Sequence, residues 1–289
     1  MKKIIVIVFI IVSFRANAQD LLTGLQDSTL ITEKVRGAFK STRVINAHSI
    51  EILSKGNLDF RIMHRFGFVS DGIKQFFGLD AATMRIGFDY GITNNFTVGI
   101  GRSTFRKELD AFLKQRILQQ ATGRKIMPVT IALAAGVTVW TEPSFTPEKQ
   151  TFGDRTAYYI QMLAGRKFSS VFSFQISPII VHSNTPLSPD DDKTIFAMGG
   201  GGRIKLSKRM AFTFDYHHPF GNQNASFTDP LSVGVDIGTG GHVFQLQFSN
   251  ATGMNERAYI TQTTGRFLKG DIRFGFNLSR MFQLGKKKW

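Results

Sequence analysis

The strongest constraint on this chain is an apolar alternation of period two that recurs along most of its length. Segment 271–282 shows it plainly. Ile272, Phe274, Phe276 and Leu278 fall on one side, and Arg273, Gly275, Asn277 and Ser279 on the other. Successive side chains of a strand point to opposite faces, so such a segment has one greasy face and one wet face. Eleven earlier segments between residues 58 and 249 repeat the pattern. Met84, Ile86, Phe88 and Tyr90 alternate with Arg85, Gly87 and Asp89. Phe244, Leu246 and Phe248 alternate with Gln245, Gln247 and Ser249. Residues 109–118 also fit a helix and are read as a strand because their neighbours are strands. Twelve such strands predict an all-β fold, a single closed antiparallel up-and-down barrel. Closure leaves no strand edge unpaired.

Periodicity alone does not say which face looks outward. A soluble barrel puts its apolar face inside, and a membrane barrel inverts the assignment at the same period. Three features favour the membrane. First, Lys2-Lys3, the apolar run Ile4 to Phe14 and the small-x-small triplet Ala16-Asn17-Ala18 form a cleavable signal peptide over 1–18. The run has 11 residues, well short of the roughly 20 that a spanning helix needs. Second, the 28 Phe far outnumber the 2 Trp and 5 Tyr. Third, side chains fill a barrel of about 8 strands, and twelve strands are too wide for an apolar core of side chains alone. The connections agree: turns at 93–95, 167–170, 207–210 and 239–241 are short, and loops at 67–82, 141–155, 183–193, 218–230 and 250–270 are long. Outer-membrane barrels pair short periplasmic turns with long external loops. The expected location is therefore the outer membrane.

Four regions follow: the signal peptide, a periplasmic lead-in over 19–57 with a short strand at Val44 to Leu53, the barrel over 58–282, and a basic tail over 283–289. With no cysteine, stability does not rest on disulfides. The chain carries a formal charge of +15. For an exported protein this suits small anionic solutes or lipid phosphates rather than nucleic acid. On the polar face stand Arg61, Arg65, Arg85, Lys114, Arg116, Arg203, Lys205 and Arg273 against Asp59, Asp89, Asp110, Asp215 and Asp236. A lumen lined by Arg61, Arg85, Asp89, Arg203, Lys205, Asp236 and Arg273 would be basic, and if open would favour anions.

Four runs carry a family resemblance: His64-Arg65-Phe66-Gly67, Phe76-Phe77-Gly78-Leu79-Asp80, the nine residues from Gly238 to Leu246, and the eight from Gly270 to Asn277. Over roughly 44–282 the chain resembles a family of exported outer-membrane β-barrels catalogued only as a domain of unknown function. The resemblance implies a barrel and supplies no activity and no site residues. Segment 271–282 also resembles the terminal strand of such barrels, whose last aromatic, here Phe282, is read by the barrel assembly machinery.

No motif points to catalysis, a cofactor or a metal. Gly199 to Gly202 is followed by no Gly-Lys-Ser/Thr and reads as glycines easing close packing in a wall. His217 and His218 point to opposite faces and do not share an ion easily. Asp190-Asp191-Asp192 reads as a solvated turn rather than a calcium loop. A Ser–His hydrolase would need a histidine beside a serine, and no local motif supplies it. Trp140, Tyr90, Tyr158 and Tyr216 suit either an aromatic girdle or core packing. The expected protein is a monomeric, non-enzymatic barrel in outer-membrane lipid. It is either a channel or binding barrel for small polar or anionic solutes, or a plugged scaffold for a periplasmic partner.

Overall fold

The computed structural model describes residues 31–142, 150–186, 188, 190–221 and 226–284; the expected signal peptide and the tail beyond 284 lie outside them. A short strand β1 (Thr32–Lys34) comes first. It is followed by β2 (Asn57–Phe68), β3 (Ala82–Gly91), β4 (Phe96–Ser103), β5 (Glu108–Leu118) and β6 (Ala121–Gly123). Next are β7 (Thr130–Trp140), β8 (Thr156–Lys167), β9 (Phe172–Ile176), β10 (Ile179–Ser183), β11 (Thr194–Lys205) and β12 (Met210–Phe220). The last are β13 (Leu231–Thr239), β14 (His242–Ser249), the helix α1 (Glu256–Thr261) and β15 (Arg273–Gln283). Strands β9 and β10 are halves of one wall strand, both pairing with β8 and with β11. Pro178 interrupts them, because it has no N–H to give the ladder. Counting the halves together, twelve antiparallel strands form the wall, and β15 closes it on β2 from Phe282↔Leu58 to Arg273↔Phe68. The ambiguous segment 109–118 is strand β5, paired with β4 and β7.

The outer surface is apolar. Ile160 is 62% exposed and Ile100 61%, and Phe88, Leu113, Phe196, Leu246 and Phe248 are exposed with them. Monomeric soluble proteins rarely present so continuous an apolar wall. Polar residues of the opposite parity are buried inside. Tyr158 and Tyr216 are exposed on the outer face, but Trp140 is buried inside under the Arg257 guanidinium, 4.3 Å from its ring centroid. Of the two readings left open for Trp140, the structure gives core packing.

Both ends of the barrel chain lie at one rim, with connections 92–95, 119–129, 168–171, 206–209 and 240–241. At the opposite, loop rim are 69–81, 104–107, 250–272 and the described parts of the connections from β7 to β8, β10 to β11 and β12 to β13. Two connections break the short-and-long pattern. Residues 119–129 are long because they carry β6, which pairs with β1 (Glu33↔Thr122), and 104–107 is a tight turn.

The largest departure from the sequence reading concerns Val44 to Leu53. This segment is no strand and lies on neither side of the membrane. Residues 36–56 rise from β1 into the lumen, turn between Val44 and Ala47 (Val44 N to Ala47 O, 2.9 Å) and return to β2. Phe39, Val44, Ile45, Ala47, Ile50 and Leu53 are all buried there. The physical reason is the width of a twelve-strand barrel: wall side chains leave a void, and the chain fills it with its own apolar residues.

Candidate functional site: the sealed lumen

Two inserts fill the lumen. The N-terminal hairpin enters from the terminal rim, and the β14–β15 connection folds in from the loop rim with α1. The hairpin has no sheet partners, so wall side chains satisfy its backbone. Gln175 Oε1 accepts from Ile50 N at 2.9 Å, and its Nε2 donates to His48 O at 2.7 Å. Gln245 Nε2 donates to Val44 O at 2.7 Å and Asn277 Nδ2 to Ile45 O at 3.1 Å. Asp215 Oδ2 accepts from Asn46 N (2.9 Å) and Ala47 N (2.8 Å). Lys114 Nζ donates to Thr42 O (3.2 Å) and Glu51 O (2.7 Å), and Arg203 donates to Ala38 O at 3.2 Å. Lumen residues that alternate correctly for a water-filled pore therefore serve as the hairpin's hydrogen-bonding surface.

The helix is fixed from the other side. Asn255 caps α1 by accepting from Ala258 N at 2.9 Å, as N-cap asparagines do. Its Nδ2 and Arg257 Nη1 both reach Glu108, each at 2.5 Å. The inserts meet at mid-lumen, where Arg43 Nη1 donates to Glu256 Oε1 at 2.8 Å and His48 Nε2 lies 3.4 Å from the same oxygen. Around the junction Ala47, Phe112, Tyr159, Val181, Ile195, Tyr259 and Ile260 form an apolar cluster.

Glycines let the hairpin tip approach the wall. A Cβ on Gly201 would stand 3.2 Å from Val44 Cγ2, and one on Gly199 would overlap the His217 ring and Ser177 Oγ. The glycine run thus makes room for close approach.

Of the lumen-lining set read from sequence, Arg61, Arg85, Asp89, Arg203 and Asp236 are buried inside. Arg61 pairs with Asp59 at 2.5 Å and donates to Thr42 Oγ1 at 2.7 Å. Arg85 pairs with Asp110 at 2.5 Å. Asp236 accepts from Gln245 at 2.9 Å. The other two lie at the mouths. Lys205 is exposed at the terminal rim. Arg273, at the loop rim, has its guanidinium 3.6 Å from the Phe68 ring centroid. Arg43, Glu108, Glu256 and Arg257 were absent from that set. They are two cations and two carboxylates and leave the net charge as it was; the balance changes because Arg116, Lys205 and Arg273 are not among the buried residues. Among the described residues, the buried cations are Arg43, Arg61, Arg65, Arg85, Lys114, Arg203 and Arg257; the buried carboxylates are Asp59, Asp89, Glu108, Asp110, Asp215, Asp236 and Glu256. The two sets are equal in number, so the sealed interior is balanced rather than basic.

One serine does stand beside a histidine. Ser177 Oγ is 3.4 Å from His217 Nε2, and His217 Nδ1 is 3.2 Å from Asp215 Oδ1. The order of groups is that of a charge-stabilised nucleophile. Both Ser177 and His217 are only 1% exposed, however, and the second Asp215 oxygen is occupied by the hairpin turn. Through Asp215 the trio is tied to the hairpin. His218 is on the outer face with Asp229 at 2.8 Å. No cluster of three or more potential metal ligands occurs among the described residues.

At the terminal rim a cavity of about 600 Å³ is lined by Lys34, Arg36, Glu51, Asn94, Asn95 and Arg116, among others. It lies between the hairpin and the wall and is the polar approach to the seal.

Residues 39–282 match a family model described as a membrane bound beta barrel domain. No curated protein matches the chain. Among solved structures it is similar to the KdgM porin at 7% identity, with 78% of this chain and 99% of that chain covered and a TM-score of 0.49. It is also similar to the Acinetobacter baumannii outer membrane protein Omp33 (8% identity, 79% and 99% covered, TM-score 0.39). A bacterial polysaccharide outer membrane secretin matches at 8% identity, with 81% and 100% covered and a TM-score of 0.37.

Proposed function

The chain belongs to the family of membrane-bound β-barrel domains, and from that premise we propose that it is an outer-membrane channel sealed at rest by its own N-terminal hairpin. The terminal rim faces the periplasm in this reading, as the short turns there suggest. One observation carries the proposal: the hairpin backbone is held by wall amides and charges rather than by a sheet ladder. Each such bond exchanges for a bond to water at a net cost of only ~0.5–1.5 kcal/mol. An insert held this way is removable, whereas one paired into the sheet would be wall. Withdrawal would open a polar path for small solutes. Arg116 and Lys205 at one mouth and Arg273 at the other supply surplus positive charge, so small anions would be attracted at the mouths. The barrel is read as non-enzymatic, which the burial of Ser177 supports.

A second reading, a sealed barrel that anchors a periplasmic partner, is favoured by the polar cavity at the terminal rim. Planar-bilayer recording separates the two. The full chain should be closed with rare openings, and deletion of residues 36–53 should give a large steady conductance while the barrel keeps heat-modifiable gel mobility. A folded deletion variant that stays closed would leave the anchor reading; continuous conductance by the full chain would remove the seal.

A further inference from the structure

The outer wall carries a groove that the lumen reading does not use. It has a volume of about 550 Å³ and lies across β3, β4, β5 and β7, lined by Ile86, Phe88, Ile100, Leu109, Ala111 and Val137 with Arg102 at its edge. The register explains the hollow. Ile100 stands opposite Phe88 on one side and Ala111 on the other, and Ala111 stands opposite Val137. Ala111 is the small residue in that row, so the wall is low where its neighbours are tall.

Arg102, next to last in β4, is an outward-facing strand cation at the loop rim. Its neighbours across the ladder are Ile86 and Leu109. Among the described strands, the other outward-facing cations, Arg166 and Arg280, lie at the terminal rim. The Arg102 side chain turns toward the loop rim, where Nη1 donates to Lys107 O and to Thr141 Oγ1 at 3.1 Å. A long basic side chain does this to bring its head to the interface. Arg106 and Lys107 belong to the tight turn above, both with positive φ of 49°. Of these three basic residues only Arg102 lines the groove; Arg106 is drawn away to Glu142 at 3.8 Å and over the Trp140 ring at 5.9 Å.

We propose that this groove is a lipid site, taking an acyl chain over Ala111 and Val137 and an anionic phosphate headgroup at Arg102. The groove alone would suit any hydrocarbon, and the Arg102 guanidinium alone any phosphate. An amphiphile with an anionic head uses both, and a phospholipid is the one that a bilayer around the wall supplies.

The test is native mass spectrometry of the full chain in uncharged detergent. It is titrated with dioleoyl phosphatidylglycerol, with dioleoylglycerol and with glycerol phosphate. The phosphatidylglycerol adduct should dominate. Arg102→Ser should weaken it about five-fold, the effect of one basic residue at a membrane surface. Ala111→Phe, which fills the groove from the lipid side, should weaken it independently, and Arg166→Ser should leave it unchanged. Equal binding of dioleoylglycerol would remove the headgroup contact, and equal binding of glycerol phosphate would remove the acyl site. Unchanged affinity in both groove variants, or an equal loss in Arg166→Ser, would overturn the proposal outright.

Discussion

Arg43 and Glu256 are each no more than 2% exposed, and they join the two inserts across the middle of the barrel. Removing one member of such a pair strands the other charge, a loss of ~3–5 kcal/mol, whereas replacing both with apolar groups can be neutral. Glu256→Ala should therefore loosen the seal and raise the frequency of openings in a planar bilayer. The double variant Arg43→Met with Glu256→Met should be quiet again. If the double variant gates as often as the single one, the pair is not the latch. Neither residue was legible as a site in the sequence. Arg43 sits in a segment without strand alternation, and Glu256 in a loop. Their partnership spans 213 residues of chain, a separation that no local pattern encodes.

At the scale of the strand the sequence was far more informative, because a two-sided wall leaves a period in the residues themselves. Leu278 lies midway along β15, opposite Phe244 and Ile62, while Phe274 is near the loop rim opposite Phe248. Charge on the lipid face costs ~2–4 kcal/mol at the midplane and ~0–1 near the interface. Leu278→Arg should fold markedly less well than Phe274→Arg in urea-titrated vesicles; equal stability would contradict the assigned depth. The hairpin shows where the period stops helping. Val44, Ile45, Ile50 and Leu53 are apolar in a stretch read as a short strand of the periplasmic lead-in, and Phe112, Val181 and Ile195 are apolar on the inward face. Together these exceptions are the sequence trace of a filled lumen. They were hard to weigh because each one taken singly also fits a strand.

For the whole molecule, size decides the architecture. Twelve strands enclose more space than their side chains occupy, so the chain must admit water or supply filler. Here filler comes from both ends, and the equal sets of buried cations and carboxylates let it do so without stranding net charge. The sequence disclosed the wall and its polar inner face, but whether that face met water or protein depended on contacts between distant segments.

The hairpin is also tied at both feet, to β1 on one side and directly to β2 on the other. A stopper on so short a leash never diffuses away. Its return is an intramolecular search, at a local concentration on the order of millimolar set by the loop rather than by the cell. Reclosure should therefore be first order and indifferent to how many barrels share the membrane. A synthetic peptide of residues 36–53 added to the deletion variant should block at a rate proportional to its concentration. If single full-length channels, once opened, closed only when more protein was added, the leash would not be what brings the stopper home.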